Sequence, residues 1–267
     1  DKTIPLSGKW KYKISASNSD FDFVEYGPNA YPSLLYNAMV NPLVGLSMRG
    51  VIWYQGENNT NRAKEYYHLF PAMINDWRKK WGKDFPFYWV QLANYMDAVE
   101  VPSESLWAQV REAQTQTLSL SHTGQAVIID IGEAKDIHPK NKQEVGRRLA
   151  LHALHNDYGF SDVVCESPMP KTVRRVQDKI AVQFDNVADG LIVKNKYGYL
   201  MSFAVAGNDG VYKWVQAKVA GKDRVVLSCP DVIDPVSVRY AWGDNPDDAN
   251  LYNSVGLPAT PFEIKIE

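Results

Sequence analysis

Met48-Arg49-Gly50-Val51-Ile52-Trp53-Tyr54, followed at once by Gln55-Gly56-Glu57-Asn58-Asn59, is the stretch on which the fold turns. Its apolar part is too short for a helix and rich in β-formers, so it reads as a buried strand with a polar cluster at its carboxyl end. Outward from it, residues 62–81 carry Tyr66, Tyr67, Phe70, Met73, Ile74, Trp77 and Trp81 at helical spacing, with Gly82 as the stop. Phe87–Leu92 is a second apolar strand. Residues 104–120 hold Leu106, Val110, Ala113, Thr117 and Leu118 on one helical stripe, and Ala126–Ile131 is a third apolar run. A helix over about 141–156 follows, with Val145, Leu149 and His152 near one face. Strands alternating with helices predict an α/β fold, a parallel sheet covered by helices on both faces.

The flanks read differently. Gly8-Lys9-Trp10-Lys11-Tyr12-Lys13-Ile14 alternates like a half-exposed strand, residues 28–33 are turn chemistry, and the apolar spacing of 34–44 predicts a helix ending near Pro42. After about residue 165 come short alternating runs at 173–176, 179–184, 199–206, 211–219, 224–228 and 236–242, divided by Asp-Gly, Gly-Asn and Gly-Lys turns. That pattern predicts a carboxyl-terminal antiparallel β domain over 166–267.

Composition narrows the function. With 29 Lys and Arg against 31 Asp and Glu, the formal charge is −2, too balanced for the cationic face that a phosphate backbone requires, so nucleic acid is not an expected partner. No apolar stretch approaches the ~20 residues of a membrane-spanning helix, and no insertion is expected. The first residues, Asp-Lys-Thr-Ile-Pro, have no signal-peptide core. Eight Trp and 15 Tyr suit core packing and equally suit stacking on sugar faces. Cys165 and Cys229, 64 positions apart, leave a disulfide or two buried thiols open and show no zinc spacing; no His-Glu-x-x-His or similar metal ligand set occurs.

Ligands of open α/β sheets bind at the carboxyl ends of the strands, and two polar clusters lie there. In the first, Gln55 offers a side-chain amide, Gly56 permits unusual dihedrals, and Glu57 and Asn58 support the loop. An amide aimed at a developing oxyanion is worth roughly 2.7–4 kcal/mol. In the second, Asp136-Ile137-His138, a carboxylate two residues before a histidine in extended backbone lies on its side of the chain, where it can orient the imidazole as a general base. A polar turn after a strand and a helix entry with an incidental histidine are the plain readings of the same residues. His68, His122, His152 and His155 have contexts that read as structural.

The strings YNAMVNPLVGLSMRGVIWYQGENN, REAQTQTL, DIGEAKDIHPKNKQEVGRRLALHAL and VRYAWGDNPDDANLYNSVGLPATPF resemble the sialate O-acetylesterases of the SGNH-hydrolase superfamily, over nearly all of residues 28–264. The resemblance implies a three-layer SGNH-like domain over 23–165 and a Ser-His-Asp mechanism without cofactor. His138 would be the acid-base group, Asp136 its orienter and Gln55 an oxyanion donor. The family's nucleophile lies in a Gly-Gln-Ser-Asn-Met segment at the first strand of the sheet, and no such segment or Gly-x-Ser-x-Gly occurs here. Ser47, Ser103, Ser105 and Ser121 read as loop or capping residues. The expectation is therefore a domain lacking its first strand and nucleophile, with residues 1–22 the end of an inserted or preceding β unit. Such a chain would be nearly inactive alone and would depend on a companion amino-terminal fragment or a partner chain. An O-acetylated sugar, sialic acid, would be the substrate, and the setting extracellular, periplasmic or lysosomal. An acetylxylan or other polysaccharide acetylesterase, or a non-catalytic carbohydrate-binding protein, are the alternatives.

Overall fold

The computed structural model describes residues 8, 9, 11, 13, 27 and 31–267, so the strand expected at 8–14 and the unit expected over 1–22 lie largely outside the described residues. The chain divides into two compact units, Asp1–Ser47 and Met48–Glu267. In the first, the helix expected over 34–44 is a wide π-helical turn at Tyr36–Val40 that passes into a 3₁₀ turn at Asn41–Leu43. Pro42 has no N–H to continue an α-helical ladder, and the Asn41 N–H instead reaches back five residues to the Tyr36 carbonyl.

The second unit starts with the predicted alternation: β1 (Val51–Trp53), α1 (Ala63–Trp81), β2 (Phe87–Val90), α2 (Leu106–Gln116), β3 (Thr123–Ala126) and α3 (Lys142–Asp157). The strands form a parallel sheet in the order β1-β2-β3, with Val51 opposite Phe87 and Phe87 opposite Thr123. Side-chain alternation on β2 explains the layers. Phe87 and Trp89 point into a core shared with Tyr66, Phe70 and Ile74 of α1 and with Val110 and Ala113 of α2. Tyr88 and Val90 point to the opposite face, against Val145 and Leu149 of α3. Helix α1 ends where Gly82 takes φ 62° and donates its N–H to the Arg78 and Lys79 carbonyls.

The third strand is displaced from expectation. It occupies the polar Thr123-Gly124-Gln125-Ala126, while most of the apolar run 126–131 lies beyond the ladder. Ladder pairing with β2 ends at Val90 opposite Ala126, and the run past it is buried by other means. Val127 and Ile129 enter the core of the β half, and Ile128 packs toward α3.

From Met169 the chain is antiparallel: β4 (Met169–Val176), β5 (Lys179–Asp185), β6 (Leu191–Val193), β7 (Phe203–Ala206), β8 (Tyr212–Trp214), β9 (Gln216–Val219), β10 (Arg224–Ser228), β11 (Ser237–Tyr240), β12 (Leu251–Asn253) and β13 (Phe262–Lys265). Two four-stranded sheets, β4-β5-β10-β9 and β13-β11-β7-β8, share one apolar core that includes Ile180, Val182, Leu227, Phe203, Val238 and Tyr240. The run expected as one strand over 211–219 breaks at Val215, whose N–H turns to the Phe203 carbonyl, so its halves serve different sheets. Strands β6 and β12, three residues each, and β13 carry too short a pattern to be predicted. Cys165 and Cys229 are separate buried thiols. Among the described residues no helix is long and apolar enough to cross a membrane.

The change of architecture near 166 falls inside the second compact unit. Arg148 of α3 pairs with Asp130, which also accepts from the Tyr252 hydroxyl at 3.2 Å. Arg111 of α2, fully buried, donates to the carbonyls of Leu92, Ala93, Gly243 and Asp244 at 2.5–2.9 Å.

Candidate active site

The first wall of the site is built at the end of β1. Trp53 packs edge-on against Trp77 and lies beside Phe70 and Phe87, which fixes where the strand stops. Beyond it Gly56 adopts φ 153°, and a Cβ there would press within 3.2 Å of Gln114 and Leu92, so both dihedral and space call for glycine. The chain then winds into a 3₁₀ turn over Glu57–Arg62, tied by the Thr60 hydroxyl to the Glu57 carbonyl.

The second wall hangs beyond β3. The Gly132 N–H donates to the Asn94 side chain at 2.7 Å; Asn94 donates to Asn245 of the β half at 2.9 Å; and Asn245 donates to the Met96 carbonyl at 2.8 Å. The Met96 N–H returns to Ala134, and Asp136 bridges back to Glu133. This clasp presents Asp136-Ile137-His138. Asn141 then caps α3 by accepting from the Glu144 N–H.

The two motifs meet. Tyr54 and Glu57 from the first wall, with Ile137, His138 and Lys142 from the second, line a cleft of about 310 Å³. The His138 side chain is 85% exposed, open to solvent at the cleft. Asp136 lies beside it, yet its Oδ1 accepts the His138 backbone N–H at 2.9 Å and stands 3.7 Å from Nδ1, outside hydrogen-bond range. In this arrangement the carboxylate fixes the loop first and faces the imidazole second. Gln55 lies off the cleft wall: its amide donates to Asn59 at 3.1 Å, which leaves the second amide hydrogen for another acceptor. Asn58 does not line the cleft.

Tyr54 and Lys142 are lining residues that the motif patterns do not single out. The Lys142 ammonium sits 4.5 Å from the centre of the Tyr54 ring, a cation–π contact that holds both against the wall. Among the described residues the buried Tyr54 hydroxyl has no hydrogen-bond partner, and burial, then the Glu57 charge, push its pKa up to about 12. The signal for Lys142 was its place one turn past His138 at the start of a helix.

The remaining polar residues settle elsewhere. His152 is buried, stacked on Tyr88 and bonded to the Gln125 carbonyl; His155 meets the Val163 carbonyl; His122 pairs with Asp84. Ser105 caps α2, and Ser121 reaches Asp84; among the described residues no serine lines the cleft. Nor do three His, Cys, Asp or Glu side chains gather among them as a metal ion would need.

The chain is similar to known carbohydrate esterases. A family model described as carbohydrate esterase, sialic acid-specific acetylesterase, matches residues 19–155. The sialate O-acetylesterase of Rattus norvegicus is 31% identical over 278 residues, covering 91% of this chain and 50% of that protein. That of Homo sapiens is 31% identical over 264 residues, covering 88% and 49%. The crystal structure of a carbohydrate acetylesterase from Xanthomonas citri superposes with a TM-score of 0.83 at 44% identity, covering 88% of this chain and 55% of that one. The chain thus spans about half the length of the curated relatives it matches.

Proposed function

Because the chain belongs to the sialic acid-specific acetylesterase family of carbohydrate esterases, we propose that it supplies the acid-base half of a serine hydrolase that removes O-acetyl groups from sialic acid. The observation that carries this reading is the cleft in which Tyr54 and Glu57 meet His138. The serine comes from a Gly-Gln-Ser-Asn segment amino-terminal to these residues, on the same polypeptide or a companion fragment.

His138 Nε2 takes the serine hydroxyl proton as the oxygen attacks the acetyl carbonyl. The tetrahedral oxyanion accepts a hydrogen bond from the Gln55 amide N–H that Asn59 leaves unused. Collapse expels the sugar hydroxyl, which receives the proton from His138 and leaves an acetyl-serine. Water, deprotonated by the same imidazole, then attacks that ester; the bond to the serine oxygen breaks, His138 returns the proton to that oxygen, and acetate departs. Asp136 stabilises the imidazolium that appears in each half-reaction, a role a 3.7 Å separation permits. No cofactor enters these steps.

Full-length protein carrying the serine segment is expected to release acetate from 9-O-acetyl-N-acetylneuraminic acid, and His138→Ala to lower kcat/KM by ~10⁴-fold. Near-normal turnover in that variant would overturn the assignment. The likeness to a carbohydrate acetylesterase at 44% identity favours a second reading, an acetylated polysaccharide as substrate. Turnover of acetylxylan exceeding that of the sialate ester would decide for it.

A further inference from the structure

A second cavity, of about 600 Å³, opens on the β half and shares no lining residue with the His138 cleft. It lies on the outer face of the β4-β5-β10-β9 sheet. Ile180, Val182, Val225 and Leu227 are buried on the core side, so strand alternation turns Lys179, Ala181, Val226 and Ser228 outward. Register aligns them in two rows: Lys218, Val226 and Ala181 in one, Gln216, Ser228 and Lys179 in the next. Past β9 the segment Tyr199-Leu200-Met201 runs antiparallel, bridged at Leu200 to Ala217, which extends the first row with Tyr199 and the second with Met201.

This face has the chemistry of a glycan platform. Tyr199 is 69% exposed and stacked on the equally bare Tyr197, with ring centres 6.2 Å apart, offering a flat surface for the C–H face of a sugar. The side chains of Gln216 and Ser228 make no hydrogen bond among the described residues, and Lys179 and Lys218 make no ion pair among them. The lining is mostly apolar with a few polar groups, the make-up of a ligand pocket. A few lysines on a chain of net charge −2 are too little for a nucleic-acid backbone.

We infer that this face is a second glycan-binding site that takes an oligosaccharide bearing carboxylates, with Tyr199 as stacking platform and Lys179 and Lys218 as anion partners. The site holds a neighbouring stretch of an acidic glycan, independently of the chemistry at His138.

The test needs no turnover. In the chain labelled with ¹³C-methyl methionine, titration with α2,8-linked trisialic acid is expected to move the Met201 methyl resonance and leave Met73 in place. Tyr199→Ala, and the double variant Lys179→Gln with Lys218→Gln, are each expected to weaken that titration by about tenfold or more. All three side chains are exposed, and unchanged melting temperatures would show that the fold persists. A Met201 resonance that does not move, variants that titrate like the wild type, or xylohexaose binding as tightly as trisialic acid would each overturn the assignment.

Discussion

Gly132 has no room for a side chain: a Cβ there would overlap the backbone oxygen and side-chain amide of Asn94, the residue that receives its N–H. Gly132→Ala is expected to destabilise the fold by about 1–3 kcal/mol and to shift the loop that carries His138. Urea denaturation reads the first effect, and the His138 imidazole resonances the second. Lys142→Met is expected to cost less than about 1 kcal/mol, the scale of one exposed cation–π contact. Because it leaves the Tyr54 ring uncovered at the cleft, it is expected to alter tyrosine fluorescence more than stability. Asp136 and His138 are legible in sequence because a carboxylate two residues from a histidine is a local pattern. That Asp136 Oδ1 caps the His138 N–H is not legible, since it depends on the bend imposed by the Glu133–Asp136 bridge.

Helix α3 carries a pH dependence of its own. Arg147 first, then Arg148, hold the Glu144 carboxyl down to about 2 from an ordinary value of 4.5. A depressed carboxylate stabilises the fold fully above its unfolded pKa and loses that contribution as pH falls toward the folded one. The stability advantage of wild type over Glu144→Gln is therefore expected to be constant above about pH 5 and to shrink between 4.5 and 2, as followed by urea midpoints across a pH series. At this scale the amphipathic helices α1 to α3 are legible because burial on one face imposes a period. Strand β3 is not, because Gly124 and Gln125 suit contacts with Tyr88, His152 and Trp89 that only the assembled sheet supplies. The π turn at 36–40 is equally hidden, since apolar spacing does not register how Pro42 reroutes the ladder.

Across the whole molecule, the α/β and β halves are joined by polar groups that have nowhere else to go. Arg111 reaches from α2 to the turn at Gly243 and Asp244, and Arg239 of β11 pairs with Glu104 just ahead of α2. Arg111→Met takes a donor from the buried Leu92 and Gly243 carbonyls, while those of Ala93 and Asp244 keep the Trp107 indole N–H and the Tyr95 N–H, and is expected to cost ~3 kcal/mol in urea denaturation. Residues 48–267 are expected to melt in one calorimetric transition. Two separable transitions, with the first abolished by cutting near residue 166, would refute that coupling. The sequence shows the change of pattern at 166 plainly but not the cross-links over it, which join residues up to 151 positions apart. The clasp of Asn94 and Asn245 has a bearing on ancestry. A β module that positions the histidine loop cannot be swapped like a cassette: a recombinant spliced at 166 inherits a working loop only if the newcomer brings an amide to the place of Asn245.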